Sequence, residues 1–229
     1  EIASRLARQE PIQYILGYAW FCDRRFYIAP GALIPRPETE ELVRLIIDEN
    51  RSRPLRIADL GTGSGCIAVT LARELPQCRV EAWELSPEAL AIARRNAELQ
   101  QVTVDFYQRD ILHYDLSQLT PGSLDLIVSN PPYICRSESR AMSENVLGYE
   151  PHEALFVPDK TPLLFYDKIA RDGLTLLSPG GRLYFEINEA QGPACARMLE
   201  HQGYEQIRII HDLYDKDRFA SAVKPHAHG

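Results

Sequence analysis

Long apolar runs are missing from this 229-residue sequence. Because a membrane-spanning helix needs about 20 consecutive apolar residues, we expect no membrane segment and no membrane partner. Cysteine is scarce as well: the five residues include no C-x-x-C pair, and an odd, unpatterned set predicts a protein of the reducing cytoplasm. The six histidines lack the spacing of metal ligands, so we expect no zinc site.

A surplus of positive charge is also missing. The chain has 25 Lys and Arg against 32 Asp and Glu, which gives a net charge of −7 and a pI near 5.4. This balance argues against a dominant interaction with nucleic-acid phosphate, although it is compatible with a local basic patch. Hydrophobic residues make up 45% of the chain, enough to fill a core. The first residue is Glu1 rather than Met, and we therefore expect the sequence to be part of a longer one.

Apolar segments of two different periodicities alternate from residue 56 onward. Short apolar and β-branched runs predict seven strands, at residues 56–60, 79–84, 102–107, 124–129, 180–187, 205–212 and 218–223. Segments with helical periodicity follow several of them, at residues 65–75, 87–99, 163–177 and 189–201. Strands that alternate with helices predict an α/β fold, with a mainly parallel seven-stranded sheet and helices on both faces.

The segment before this sheet has a different pattern. Residues 1–9 have the periodicity of the end of a helix, which Pro11 terminates. Aromatic and β-branched runs at residues 18–21 and 25–28 predict a β-hairpin. A loop rich in proline then leads into a helix that has Thr39 in its first turn.

The stretch ADLGTGSGCIA connects the first strand of the sheet to a helix. Gly61, Gly63 and Gly65 allow positive φ angles and a close approach of the backbone to a ligand. Ligands of open parallel sheets bind beyond the carboxyl ends of the strands, where this loop lies. Glu84 ends the next strand, where a carboxylate can accept both hydroxyls of a ribose. Together these features predict a cofactor that contains adenosine.

Each of these features also has a structural interpretation. The glycines can serve an ordinary turn between strand and helix. Glu84 can be a charge beside the helix start at Ser86-Pro87, a typical N-cap and N1 pair.

The spacing of the glycines selects among adenosine cofactors. The dinucleotide fingerprint G-x-G-x-x-G has its third glycine one residue later, where Cys66 stands here. The segment DLGTGSG instead resembles the first motif of S-adenosylmethionine-dependent methyltransferases. Asp110 ends the third strand, and the resemblance implies that this acid and Ile111 lie next to the adenine. A local turn is the alternative interpretation of Asp110.

The fourth strand ends in the tetrapeptide Asn130-Pro131-Pro132-Tyr133. Two prolines remove two backbone donors and fix two φ angles, and the residue before them is restricted to an extended conformation. The tetrapeptide resembles that of amino-methyltransferases, whose target is a planar nitrogen in a nucleobase or a side-chain carboxamide. A proline-stiffened loop after a core strand is the structural alternative.

A carboxamide nitrogen needs help to react because its lone pair is delocalised into the carbonyl group. The side-chain oxygen of Asn130 and the backbone carbonyl of Pro131 can each accept one amide hydrogen. Positive charge that develops on the nitrogen strengthens both hydrogen bonds in the transition state. We therefore expect catalysis mainly by positioning, with Tyr133 as a flat wall against the amide plane.

Six segments extend the resemblance over nearly the whole chain: EPIQYILGYAWF, LIPRPETEELV, DLGTGSGCIA, SPEALAIARRNA, DLIVSNPPYI and YEPHEAL. They resemble the bacterial peptide-chain release factor N5-glutamine methyltransferases. Proteins of this family transfer a methyl group from S-adenosyl-L-methionine to the glutamine of the Gly-Gly-Gln motif of class 1 release factors, and S-adenosyl-L-homocysteine is the second product. The resemblance implies a Rossmann-like class I S-adenosylmethionine-dependent methyltransferase fold.

The resemblance also implies site residues. Catalysis and substrate binding would fall to Asn130, Pro131, Pro132 and Tyr133, which hold the glutamine carboxamide. The donor would be bound by Gly61, Thr62, Gly63, Ser64, Gly65, Glu84, Asp110, Ile111 and Asn130. The roles of Arg36, Glu38, Glu40 and Glu150 remain open between a contact with the substrate and a contact that holds a loop in place.

Four regions follow from the resemblance: the end of an N-terminal helical domain at 1–10, a linker with the hairpin at 11–35, the catalytic domain at 36–223 and a flexible tail at 224–229. The implied partner is a class 1 release factor, and we expect no direct requirement for nucleic acid. A nucleic-acid methyltransferase acting on the exocyclic amine of adenine or guanine is the enzymatic alternative. A module that binds the donor without catalysing a reaction is the non-enzymatic alternative.

Overall fold

The computed structural model describes residues 2–226, and two short helices and a hairpin precede its central sheet. These elements are α1 (Ile2–Ala7), α2 (Ile12–Leu16), β1 (Tyr18–Phe21) and β2 (Arg24–Tyr27). The predicted hairpin is confirmed: β1 and β2 pair antiparallel. Its turn residues Cys22 and Asp23 have φ of 46° and 61°, as a type I′ turn requires. The predicted first helix is confirmed for α1, whereas Glu1 lies outside the described residues.

The central sheet has seven strands. The helix α3 (Pro37–Asn50) precedes it. The strands of the sheet in chain order are β3 (Arg56–Leu60), β4 (Arg79–Glu84), β5 (Asp105–Gln108), β6 (Leu124–Ser129), β9 (Leu177–Glu186), β10 (Glu205–His211) and β11 (Asp217–Val223). Two strands of two residues each, β7 (Ile134–Cys135) and β8 (Phe156–Val157), pair with each other outside this sheet. The order of the seven strands across the central sheet is β10-β11-β9-β6-β3-β4-β5. All neighbours from β9 to β5 are parallel, and β11 is antiparallel to both β9 and β10. The predicted mainly parallel sheet is therefore confirmed.

Helices cover both faces of this sheet. After α3 they are α4 (Cys66–Glu74), α5 (Pro87–Gln100), the single turn α6 (Glu144–Leu147), α7 (Leu164–Leu176) and α8 (Gly192–His201). Successive residues of a strand point to opposite faces, and β6 shows the result. Leu126 and Val128 pack into one buried cluster with α3 and α4, whereas Ile127 packs into a second cluster with α7 and α8. Such a strand is apolar on both sides, as the run LDLIVS predicts.

Three element boundaries differ from the prediction by three residues. The third strand of the sheet begins at Asp105 rather than at 102, because the N–H of Val102 still donates to Ala97 at the end of α5. The last helix, α8, begins at Gly192 rather than at 189, because the Asn188 side chain accepts the N–H of Ala190 in a turn. The fifth strand of the sheet, β9, begins at Leu177 rather than at 180.

Of the predicted tail, residues 224–226 are described and 227–229 lie outside the described residues. Lys224 exchanges backbone hydrogen bonds with Gly180 and Gly181. In residues 2–226 no helix combines the length and apolarity needed to cross a membrane.

Candidate active site

The glycine loop after β3 is tied to the end of β4 by backbone hydrogen bonds. The N–H groups of Gly61 and Thr62 both donate to the carbonyl of Trp83, at 2.9 and 3.0 Å. Gly61, Gly63 and Gly65 have φ of 78°, 56° and 81°, which is the left-handed region that glycine adopts without a Cβ penalty. The three glycines are therefore required by the backbone conformation of this loop.

Glu84 joins the same two loops through its side chain. Its Oε2 accepts the N–H of Gly63 at 2.8 Å, and its Oε1 accepts the N–H of Ser86 at 2.9 Å. Burial raises the pKa of Glu84, although the hydrogen bonds from Ser86 and Gly63 act in the opposite direction. Each oxygen retains a further acceptor site. The two interpretations of Glu84 are thus compatible, since the N-cap of α5 is Ser86 itself.

A cavity of about 570 Å³ opens at the carboxyl edge of the parallel strands. Nine of the residues predicted for the site line it, namely Gly61, Thr62, Gly63, Ser64, Glu84, Asp110, Ile111, Asn130 and Pro132. The other three do not appear in its lining. Gly65 packs against Ala93 of α5, Pro131 is buried, and Tyr133 donates a hydrogen bond to Glu186.

Asp110 lies in the loop after β5, the third strand of the central sheet, and its carboxylate is held by that loop. Its Oδ1 accepts the N–H of Leu112 and its Oδ2 lies 2.8 Å from the Nδ1 of His113. Partial burial raises the pKa of Asp110, but the hydrogen bonds from His113 and Leu112 outweigh it, so that the pKa is lowered. Asp110 therefore stays ionised near neutral pH. The local turn anticipated as an alternative is present, and the carboxylate still lies on the cavity.

The tetrapeptide after β6 is connected to a buried acid that the sequence interpretation did not include. Asn130 Nδ2 donates to Thr39 Oγ1 at 3.2 Å, and the Thr39 hydroxyl donates to Glu186 Oε2 at 2.6 Å. Tyr133 donates to the other oxygen, Oε1, at 3.2 Å. Glu186 is only 1% exposed, and this burial raises its pKa to about 7, while Thr39 and Tyr133 lower it.

Glu186 and a second acid, Asp59, could have been found from the sequence. Each is a charged residue in an apolar strand, at or next to its carboxyl end, where charge is costly unless it is partnered or used. Asp59 is fully buried and accepts hydrogen bonds from Thr62 Oγ1 and the Ala68 N–H. Its burial raises the pKa to about 7. Its Oδ1 has no hydrogen-bond partner among residues 2–226.

Glu150 fastens the loop that carries the sequence YEPHEAL. Its Oε2 accepts the N–H of Ile34 at 3.0 Å, and its Oε1 forms an ion pair with Arg36 at 2.6 Å. Glu150 is 4% exposed, whereas Ile34 and Arg36 both line the cavity. Of the two interpretations of Glu150, the structure therefore provides direct contacts for the anchoring one.

The geometry fits an adenosine-containing methyl donor. A Cβ at Gly63 would meet no atom within 4 Å, so this side of the loop is open. Glu84 offers acceptors at the end of β4 for ribose hydroxyls, and Asp110 and Ile111 supply an acceptor and an apolar contact further along the edge. These groups all lie on the same cavity as Asn130.

Gly63 and Gly65 give a prediction that distinguishes an effect on folding from an effect on ligand binding. Alanine at either 63 or 65 must adopt a left-handed φ, which costs about 1–2 kcal/mol. In Gly65→Ala the new Cβ would also lie 3.0 Å from the Cβ of Ala93 and 3.1 Å from its Cα. We therefore expect Gly65→Ala to lower the melting temperature more than Gly63→Ala, and Gly63→Ala to lower donor affinity without loss of fold.

Thermal denaturation of both variants, and calorimetric titration with S-adenosylhomocysteine, test this difference. An equal decrease of the melting temperature in the two variants would show that the contact of the new Cβ with Ala93 does not affect stability. Unchanged donor affinity in Gly63→Ala would remove the backbone at 63 from the binding site.

Comparison with known proteins gives a consistent result. Residues 39–147 match the family model described as methyltransferase small domain. A curated protein of Bacteroides thetaiotaomicron named release factor glutamine methyltransferase is 53% identical over 221 residues, covering 96% of this chain and 78% of that protein. The protein of the same name from Flavobacterium psychrophilum is 47% identical over 219 residues, covering 93% and 75%. A solved methyltransferase structure from Pyrococcus furiosus covers 97% of this chain and 98% of its own, with a TM-score of 0.65 at 18% identity, which reflects the shared fold.

Proposed function

The chain belongs to the family of release factor glutamine methyltransferases, and from this premise we propose how its cavity performs the reaction. The protein is a methyltransferase that acts on a release factor glutamine, and membership implies S-adenosyl-L-methionine as the donor. The proposed acceptor atom is the side-chain nitrogen, N5, of the glutamine in the Gly-Gly-Gln motif of class 1 release factors. We also propose that residues 36–223 form the catalytic domain and that the protein acts in the cytoplasm, where release factors meet the ribosome.

The donor is proposed to lie along the edge formed by β3, β4 and β5. The glycine loop at 61–65 would contact its amino acid part, Glu84 its ribose hydroxyls, and Asp110 with Ile111 its adenine. When bound, S-adenosyl-L-methionine supplies an electrophilic methyl group next to a positively charged sulfur. The buried Asp59, through the loop that it orders at Thr62, would keep the backbone of the loop in its binding conformation.

The glutamine carboxamide is proposed to be held by Asn130 and by the backbone carbonyl of Pro131. Each accepts one of the two amide hydrogens, and the prolines keep the carbonyl in one place. The nitrogen becomes more positive as it is methylated, so that both acceptors bind its hydrogens more strongly in the transition state than in the ground state. The donor would leave as S-adenosyl-L-homocysteine, and the methylated nitrogen would lose one proton to water, so that positioning is the main source of rate.

One observation supports this proposal most directly. The Asn130 amide has its Nδ2 engaged by Thr39, while no residue in 2–226 donates a hydrogen bond to its Oδ1. Asn130 also lines the same cavity as Glu84 and the glycine loop. The side-chain oxygen is therefore available as an acceptor next to the proposed donor site.

The substrate is tested by transfer from labelled donor to purified components. We expect the protein to label a class 1 release factor in the absence of RNA, because its net charge of −7 disfavours binding to nucleic-acid phosphate. A release factor in which the glutamine of Gly-Gly-Gln is replaced by alanine is the matched control and should stay unlabelled. Label on RNA or DNA, or transfer that nuclease treatment abolishes, would support the nucleic-acid alternative instead. Donor binding with no transfer to any of these would support the non-catalytic module.

A further inference from the structure

Residues 36–40, which have the sequence RPETE and are called the RPETE segment below, contribute a buried hydroxyl to the site. Thr39 lies in the first turn of α3 and is 2% exposed. It is 91 residues from Asn130 and 147 residues from Glu186 in the sequence, yet it hydrogen bonds to both. The flanking acids Glu38 and Glu40 do not take part in these two hydrogen bonds.

The direction of these hydrogen bonds is set by Glu186. A carboxylate can only accept hydrogen bonds, and Glu186 receives one from Tyr133 on Oε1 and one from Thr39 on Oε2. The nearby Arg218 favours the charged form of this carboxylate. Since Thr39 has a single hydroxyl proton, its oxygen can offer only a lone pair to Asn130.

The orientation of the Asn130 amide follows from this. A carboxamide has an oxygen on one side and an NH₂ group on the other, and the two have nearly the same shape. Only the NH₂ group can donate to Thr39, so the oxygen is left for a ligand. In the reverse orientation the NH₂ group would face the amide hydrogens of a substrate and repel them.

We propose that Thr39, held by Glu186, is a positioning residue that fixes the Asn130 amide with its oxygen toward the substrate amide. This inference rests on the proposed function. It assigns the RPETE segment a role in catalysis that acts through Asn130 and requires no contact between Thr39 and the substrate.

The test replaces Thr39 by valine, which has nearly the same shape but no hydroxyl. In assays at pH 8, above the pKa of about 7 of Glu186, we expect kcat on a release factor to fall roughly ten-fold, the size of one net hydrogen bond. KM and the affinity for S-adenosylhomocysteine should stay close to those of the wild type. Thr39→Ser keeps the hydroxyl and should restore most of kcat.

A matched control makes the same change at another buried helix position. Thr70 of α4 is 2% exposed, and its hydroxyl has no hydrogen-bond partner in the described part of the chain. Thr70→Val should leave kcat unchanged. A comparable fall of kcat in Thr70→Val, or a Thr39→Ser variant as slow as Thr39→Val, would indicate a general packing effect and overturn the inference.

A double-mutant cycle separates positioning from a direct effect. If Thr39 acts only through Asn130, then Thr39→Val should change kcat little in a protein that already carries Asn130→Ala. An additive loss in the double variant would overturn the inference, and so would wild-type kcat in Thr39→Val. Neither outcome would affect the proposed function, which fails only if the wild-type protein does not methylate a release factor.

Discussion

Replacing Asn130 by alanine should lower the methyl-transfer rate by ~10²–10³-fold, by analogy with the loss of one preorganised hydrogen-bond partner in an oxyanion hole. The bond between Asn130 and the substrate amide gains most of its strength as charge develops on the nitrogen, so kcat should fall by more than KM changes. Binding of S-adenosylhomocysteine should persist, because the glycine loop and Glu84 are untouched. Single-turnover kinetics and calorimetry on the same preparation measure the two effects.

Asn130→Asp is the informative companion variant. It keeps an acceptor oxygen at nearly the same place but has no NH₂ group to donate to Thr39, whose proton is engaged by Glu186. Two carboxylates would then compete for one hydroxyl. We expect this variant to remain slow on the glutamine substrate. Near wild-type turnover of Asn130→Ala on a release factor would show that the asparagine does not hold the amide, and the two prolines would need another explanation.

Replacing Glu84 by alanine should weaken donor binding by roughly 10- to 150-fold for each charge-assisted hydrogen bond lost, since one such bond contributes about 1.5–3 kcal/mol. Two effects combine in this variant. The carboxylate would no longer accept the ribose hydroxyls, and the N–H groups of Gly63 and Ser86 would lose their acceptor. Calorimetric titration with S-adenosylhomocysteine measures the change in affinity.

Glu81→Ala is the matched control for Glu84→Ala. Glu81 lies on the same strand and accepts a hydrogen bond from Trp83 Nε1, but it does not line the cavity. We expect it to bind the donor with wild-type affinity. If a folded Glu84→Ala protein bound the donor as tightly as the wild type, Glu84 would have to be reassigned to a purely structural role.

Local sequence was sufficient to predict the edge of the sheet at which the cavity lies. The glycine loop and Asn130 follow directly after predicted strands, Glu84 is the last residue of one, and Asp110 lies three residues beyond another. In a parallel sheet the carboxyl ends of the strands meet at one edge, so motifs far apart in the sequence come together once the strands are identified. The alternation of strands and helices is sufficient for that identification, because its two periodicities are properties of the local backbone.

The short elements were less accessible to prediction. The helix α2 has five residues and the paired strands β7 and β8 have two each. Segments of this length do not complete enough periods to be recognised. The boundaries of β5 and α8 were also missed, because they depend on single hydrogen bonds at Val102 and Asn188 rather than on a pattern of apolar residues.

The sequence by itself determined the fold class, the family and the edge of the sheet at which the cavity lies. Each of these depends on short segments that have a conformational or chemical requirement of their own. Only the tertiary structure decided which side chains meet at the tetrapeptide. Thr39 reaches Asn130 across 91 residues of chain and Glu186 across 147, and Glu150 reaches Ile34 across 116. A hydrogen bond depends on distance and direction between two atoms, and neither is fixed until helix α3 has packed against one face of the sheet.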